Sequence, residues 1–193
     1  HSGARTNFTF WSGMGHVPSE VAPDLRSRSY EITAHINPSG STGACDGVLI
    51  AHGDATCGYS LFVRDGYLVH DLNIGGTHQT VSSDVTIPAA TATLGFRMRR
   101  SGDGPFPHGV GTLLIDGEPA GQMETNQVFW LMISWSGLDI GLDRGTTVAD
   151  YDGSGRHLGP NTYQGDLVRV SVDLEPDQDI DHNAAGATEL GRE

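Results

Sequence analysis

Leu167-Val168-Arg169-Val170-Ser171-Val172-Asp173-Leu174 is the stretch that decides the fold class. Val168, Val170, Val172 and Leu174 alternate with Arg169, Ser171 and Asp173. A period of two places successive side chains on opposite faces of an extended strand, so this run reads as half-buried, with one wet face. The same reading holds in SYEITAHIN, 29–37, where Tyr30, Ile32, Ala34 and Ile36 oppose Glu31, Thr33 and His35, and in TLGFRMRR, 93–100, where Leu94, Phe96 and Met98 oppose Gly95, Arg97 and Arg99. Between these lie DGVLIAHG (46–53), GYSLFVRDG (58–66), YLVHDLNIG (67–75) and GTLLIDGEPAG (111–121). Asp65-Gly66 and Asp116-Gly117 tolerate positive φ and mark hairpin turns. No long run keeps the 3.6 period of a helix. Many short strands with closely spaced turns imply an all-β, antiparallel two-sheet sandwich or jelly roll.

The chain has 193 residues, enough for one core without metal or disulfide staples. We expect the sandwich over 4–174, after a tag remnant at 1–3, with a mobile tail over 175–193 whose acids are Glu175, Asp177, Asp179, Asp181, Glu189 and Glu193. The formal net charge is -13, and the 11 basic residues form no cluster, which argues against nucleic acid and against an anionic membrane surface as partners. Cys45 and Cys57 fall at opposite ends of one hairpin arm, too far apart for a cross-strand bridge. Two free thiols lean towards a cytoplasmic setting.

Three groups of side chains are candidates for a site. The densest oxygen cluster is DIGLDRGTTVADYDG, 139–153, in which Asp139, Asp143, Asp150 and Asp152 could supply calcium, which takes six to eight oxygens. The bland alternative is a solvated loop whose aspartates bond nearby backbone amides. The run NQVFWLMISWSG, 126–137, offers Trp130 and Trp135, which with Tyr151 could form a sugar-stacking platform or simply fill the core. Among the nine histidines, His35, His52, His70 and His78 fall on or beside strands; without metal-ligand spacing and beside polar neighbours, they read as surface residues. No nucleophile elbow, phosphate loop or Ser/His/Asp constellation is present, and the carboxylate run in the tail lacks a rigid frame for glycoside hydrolysis.

Six stretches, RSYEITAHI (28–36), DGVLIAHG (46–53), GYSLFVRDGYL (58–68), GTLLIDG (111–117), DIGLDRGTTVADYD (139–152) and YQGDLVRVSVDLE (163–175), together with FWSGMGHVPSEVAPDL (10–25), resemble in order the C-terminal region of bacterial arylsulfatases, actinobacterial members in particular. The resemblance implies a concanavalin-like or laminin-G-like jelly roll following a sulfatase catalytic domain. That domain would need a divalent cation and a formylglycine made from a Cys/Ser-x-Pro-x-Arg motif. Neither cysteine begins that motif, since Cys45 precedes Asp-Gly-Val and Cys57 precedes Gly-Tyr-Ser, so no catalytic residue can be assigned here. The resemblance therefore implies a non-catalytic accessory domain that packs on the sulfatase domain of the same chain and stabilises it. The alternative is a lectin-like carbohydrate-binding module with a glycan as partner. The loops GDATCG (53–58) and HDLNIGG (70–76) depart from the family pattern, which puts their expected contacts in doubt.

Overall fold

The computed structural model describes residues 5–38, 45–103, 107–126, 128 and 134–180. Their strands are β1 (Asn7–Trp11), β2 (Tyr30–Asn37), β3 (Gly47–Gly53), β4 (Cys57–Arg64), β5 (Tyr67–Ile74), β6 (Thr77–Ser82), β7 (Thr93–Ser101), β8 (His108–Ile115), β9 (Glu118–Thr125), β10 (Leu138–Ile140) and β11 (Asp166–Leu174). They form a six-stranded sheet in the order β1-β11-β2-β7-β8-β9 and a five-stranded sheet in the order β10-β3-β4-β5-β6. Every strand pairing within the two sheets is antiparallel. This is the all-β two-sheet sandwich that the alternating runs predict.

The core lies between the sheets. Tyr30, Ile32 and Ala34 of β2, Leu94, Phe96 and Met98 of β7, and Val170 and Val172 of β11 face Leu61, Val63, Leu68 and Leu72 of the second sheet. The two Asp-Gly turns join β4 to β5 and β8 to β9, with Asp65 and Asp116 at φ 52° and 50° and Gly66 and Gly117 at φ 77° and 80°. Positive φ at both central residues matches the right-handed twist of the flanking strands. In β11 the register shifts between Leu167 and Arg169. Leu167 is buried there and Val168 only half-buried, so the alternation read through Val168 slips by one residue at this bulge.

Two further expectations change. His52 and His70 are buried, not surface residues. His70 faces the other sheet and stacks on Phe96, with ring centroids 3.5 Å apart and planes 3° apart, while His52 meets Tyr59 edge-on and bonds Ser19. The strand HDLN alternates as expected, but its histidine falls on the inward phase with Leu68 and Leu72. Burial holds His70 down to about 3 and His52 to about 4. The beginning of the acidic tail is also tied down: Asp177 accepts bonds from the Ser29 amide and hydroxyl, Arg28 donates to the Glu175 carbonyl, and the Asp179 amide donates to Ser27. Arg99 and Arg100 add ion pairs to Glu175 and Asp179. The tail over 181–193 lies outside the described residues.

Candidate functional site

β3, β4 and β5, like the three-residue β10, are buried over nearly their whole length on both faces. Their inward residues join the main core. Their outward residues Val48, Ala51, Phe62 and Val69 form a second apolar cluster with Val148, Ala149 and Tyr151, contributed by the loop over 141–160. An antiparallel sheet usually leaves one face wet, so residues that are apolar on both faces need a cover, and this loop supplies it.

Aspartates hold the cover in shape. Asp143, 2% exposed, accepts the Val148 amide at 2.9 Å and the Tyr151 hydroxyl at 2.5 Å, and that hydroxyl is also bonded to Ser60 at 2.7 Å. Burial pushes the Asp143 carboxyl up to about 6, against the opposing effect of the Tyr151 and Val148 donors. Asp139 takes the His16 ring at 2.9 Å, the Arg144 amide at 3.0 Å and the Arg144 guanidinium at 3.3 Å. Asp150 accepts the Gly155 amide, and Asp152 accepts the Ser154 amide; the Ser154 hydroxyl, and after it that amide, pull Asp152 below its ordinary range. Among the described residues no three His, Cys, Asp or Glu side chains converge as a metal site. A loop laid over a sheet must satisfy its own amides, and Asp139, Asp143, Asp150 and Asp152 each accept one.

Tyr151 is buried, its ring edge-on to Phe62 with centroids 4.8 Å apart and planes 81° apart. Trp135, 63% exposed, sits beside the β3–β4 turn, where Ser134 and Ser136 donate to Asp54. Trp130 lies outside the described residues.

Two open clefts flank Phe62 and Arg64 at the edge of the cover. The larger, about 380 Å³, has Phe62 and Tyr151 in its wall and Arg64, Asp65, Asp152, Asn161, Thr162 and Gln164 among its polar lining. Its far wall is the segment 161–164, bound to the start of β3 by Val48 N–H to Asn161 O at 2.9 Å and Gln164 N–H to Asp46 O at 2.8 Å. Gly47, at φ 121°, makes that approach possible, since a Cβ there would lie 2.4 Å from the Tyr163 Cα. Arg64 is the one cation of this lining, set against Asp46, Asp65 and Asp152. The smaller cleft, about 280 Å³, is lined by Phe62, Arg64, Asp71, His78, Thr80, Ala149, Asp150 and His157. Arg64 reaches over to the Asp150 carbonyl at 3.4 Å. Neither Arg64 nor the 161–164 segment was marked by sequence reasoning. Arg64 reads as an ordinary strand-end charge, and only the crossing of the chain over β3 gives it neighbours.

No family model matches this sequence, and no curated protein matches it. Solved structures do. Ruminococcus gnavus IT-sialidase CBM40 bound to α2,3 sialyllactose is similar at 13% identity and a TM-score of 0.52, over 90% of this chain and 93% of that one. The same module bound to α2,6 sialyllactose gives 13% identity and a TM-score of 0.50 over the same shares. Mouse laminin α1 chain, domains LG4-5, gives 11% identity and a TM-score of 0.47, over 92% of this chain and 41% of that one. The chain shares the jelly-roll fold of the R. gnavus module. None of these three is a sulfatase.

Proposed function

We propose that this domain is a carbohydrate-binding module whose sugar site is the 380 Å³ cleft beside Arg64. The observation that carries the reading is the chemistry of that cleft. Phe62 and Tyr151, both largely buried, back a rim of amide, hydroxyl, guanidinium and carboxylate groups, and converging donors and acceptors of this kind are what saccharide recognition needs. The fold adds support, because the R. gnavus modules that share it are bound to sialyllactose. Fold alone is a weak warrant for function, so the lining decides the ligand. Three aspartates against one arginine favour an uncharged, hydroxyl-rich saccharide over an acidic one, since a second anion would meet repulsion there. The sulfatase-accessory role implied by sequence resemblance gains nothing from these neighbours, and the carbohydrate reading takes precedence.

Calorimetric titration of the full chain with a panel of neutral oligosaccharides, lactose and α2,3 sialyllactose tests this. Saturable binding to a neutral member is expected, weakened about tenfold or more by Arg64→Ala, in line with the ~1.5–3 kcal/mol of a charge-assisted hydrogen bond. Gln164→Ala is expected to weaken it less. No binding across the panel, or binding indifferent to Arg64→Ala, would overturn the assignment. Tighter binding of sialyllactose than lactose would overturn the preference for neutral sugars.

A further inference from the structure

The smaller cleft brings together two histidines from distant parts of the chain. His78 on β6 and His157 in the covering loop have ring centroids 5.9 Å apart, with planes inclined at 31°. Each has its Nδ1 engaged. His78 Nδ1 lies 2.8 Å from Asp71 Oδ1, and His157 Nδ1 lies 3.1 Å from the Thr147 carbonyl oxygen. Both oxygens can only accept, so both Nδ1 atoms carry the proton, and each neutral ring keeps its lone pair on Nε2. Asp71 is itself held, because its Oδ2 accepts the Thr80 hydroxyl at 2.8 Å and the residue is 5% exposed.

We infer that His78 and His157 form a two-imidazole site for a late first-row divalent cation, Zn²⁺ or Ni²⁺, with water completing the coordination. An imidazole that binds such an ion through one nitrogen almost always donates its other N–H to a carboxylate or backbone carbonyl. That is the arrangement both rings already have. The spacing agrees. With metal–nitrogen bonds of about 2.0–2.1 Å, two rings sharing one tetrahedral ion have centroids roughly 5 Å apart, rising to about 6 Å as the angle at the metal opens. The 5.9 Å observed lies at the open end of that range, so closing to tetrahedral geometry calls for the rings to approach by roughly 0.7 Å. Electrostatics also favour a cation. Asp71 and Asp150 line the same cleft against Arg64, and the chain carries a net charge of -13. Two protein donors leave most of the coordination sphere open, which suits exchangeable ions rather than a structural zinc. This inference does not depend on the sugar site, which uses the other cleft.

The test is calorimetric titration of the full chain with Zn²⁺ and with Ni²⁺, in the absence of any sugar. One equivalent is expected to bind. His78→Ala and His157→Ala should each abolish that binding, with folding checked by circular dichroism. Asp71→Asn, which keeps His78 but weakens the acceptor behind it, should lower affinity about 10–100-fold. His108→Ala, on β8 in the other sheet, should leave binding unchanged and so distinguish this site from general histidine affinity. The inference falls if no stoichiometric binding occurs, or if binding survives in either the His78 or the His157 variant.

Discussion

The two outward sheet faces of this sandwich are built on opposite principles. On β2, β7 and β11 of the six-stranded sheet the outward side chains are mainly polar and solvated, although Leu114 of the neighbouring β8 is outward and buried. Glu31 pairs with Arg97 at 2.7 Å across β2 and β7, and Thr33 and Ser171 stand opposite one another between β2 and β11. On the five-stranded sheet the outward side chains are Val48, Ala51, Phe62 and Val69, sealed beneath Val148, Ala149 and Tyr151. Both proposed sites lie at the margins of that seal. A covered sheet face supplies what an open one lacks: concave edges, fixed side chains and a loop whose carboxylates and carbonyls point inward. The difference teaches that a face sealed by a loop gains clefts at the margin of the seal, whereas the solvated strands β2, β7 and β11 carry charge pairs across their surface.

The largest expected contrast comes from truncation. Phe62→Ala should cost about 3–5 kcal/mol in denaturant unfolding, the range for a buried aromatic that leaves a cavity. Thr33→Ala on the other face should stay within about 0.5 kcal/mol, as surface changes do. Equal losses at the two positions would break the comparison.

A pH effect peculiar to the covered face comes next. Asp143 has its folded pKa raised from 3.8 to about 6, so the folded state holds this proton more tightly than the unfolded chain. The stability from this group is fully present below pH 3.8 and is lost as pH rises through about 6, by up to roughly 3 kcal/mol at 1.36 kcal/mol per pKa unit. His52 and His70 act in the opposite sense. Their folded pKa values are lowered, so the unfolded chain gains protons first and stability falls as pH drops below 6.5. The difference between wild type and Asp143→Asn isolates the aspartate, and the variant should gain relative stability as pH rises from 4 to 7. A difference that does not change with pH would show that the Tyr151 and Val148 donors keep Asp143 ionised throughout.

Tyr151→Phe keeps the ring against Phe62 but removes the hydroxyl that donates to Asp143 and accepts from Ser60. We expect a loss of about 1–3 kcal/mol at neutral pH, where the buried acceptor is left short of a partner. The effect should shrink at pH 4, where Asp143 can donate a proton itself.

Smallest of all, Arg97→Ala on the open face should cost at most about 1 kcal/mol and nothing measurable in high salt, because the Glu31 pair is partly exposed and screened. A larger, salt-insensitive loss would mean that this face, too, is structured from outside.

Much of this contrast is legible in residues read one after another. SYEITAHIN and TLGFRMRR alternate cleanly and prove half-buried. VLIAH and YSLFV do not alternate, and an unbroken apolar run in an antiparallel sheet implies a cover on the outside as well as the inside. The histidines mark the limit. His70 falls on the inward phase of a readable strand, so its burial could have been found by counting from Leu68 and Leu72. Nothing in the sequence relates His78 to His157, which meet only because the covering loop returns across β5 and β6. The same is true of Arg64 and the segment 161–164, and the aspartates of 139–153 show the reverse: clustered along the chain, they are parted in space by the separate amides each must satisfy.

By itself the sequence determined the sandwich, its two Asp-Gly hairpins and the inward faces of β2, β7 and most of β11, because strand periodicity and turn chemistry are local properties of the chain. Only the tertiary structure decided where the loop over 141–160 lies, which aspartates it consumes, and which arginine and histidines border its clefts. Those outcomes depend on contacts between residues far apart along the chain, whose geometry is set by the packing of one sheet's outer face and leaves no periodic trace in the residues that make it.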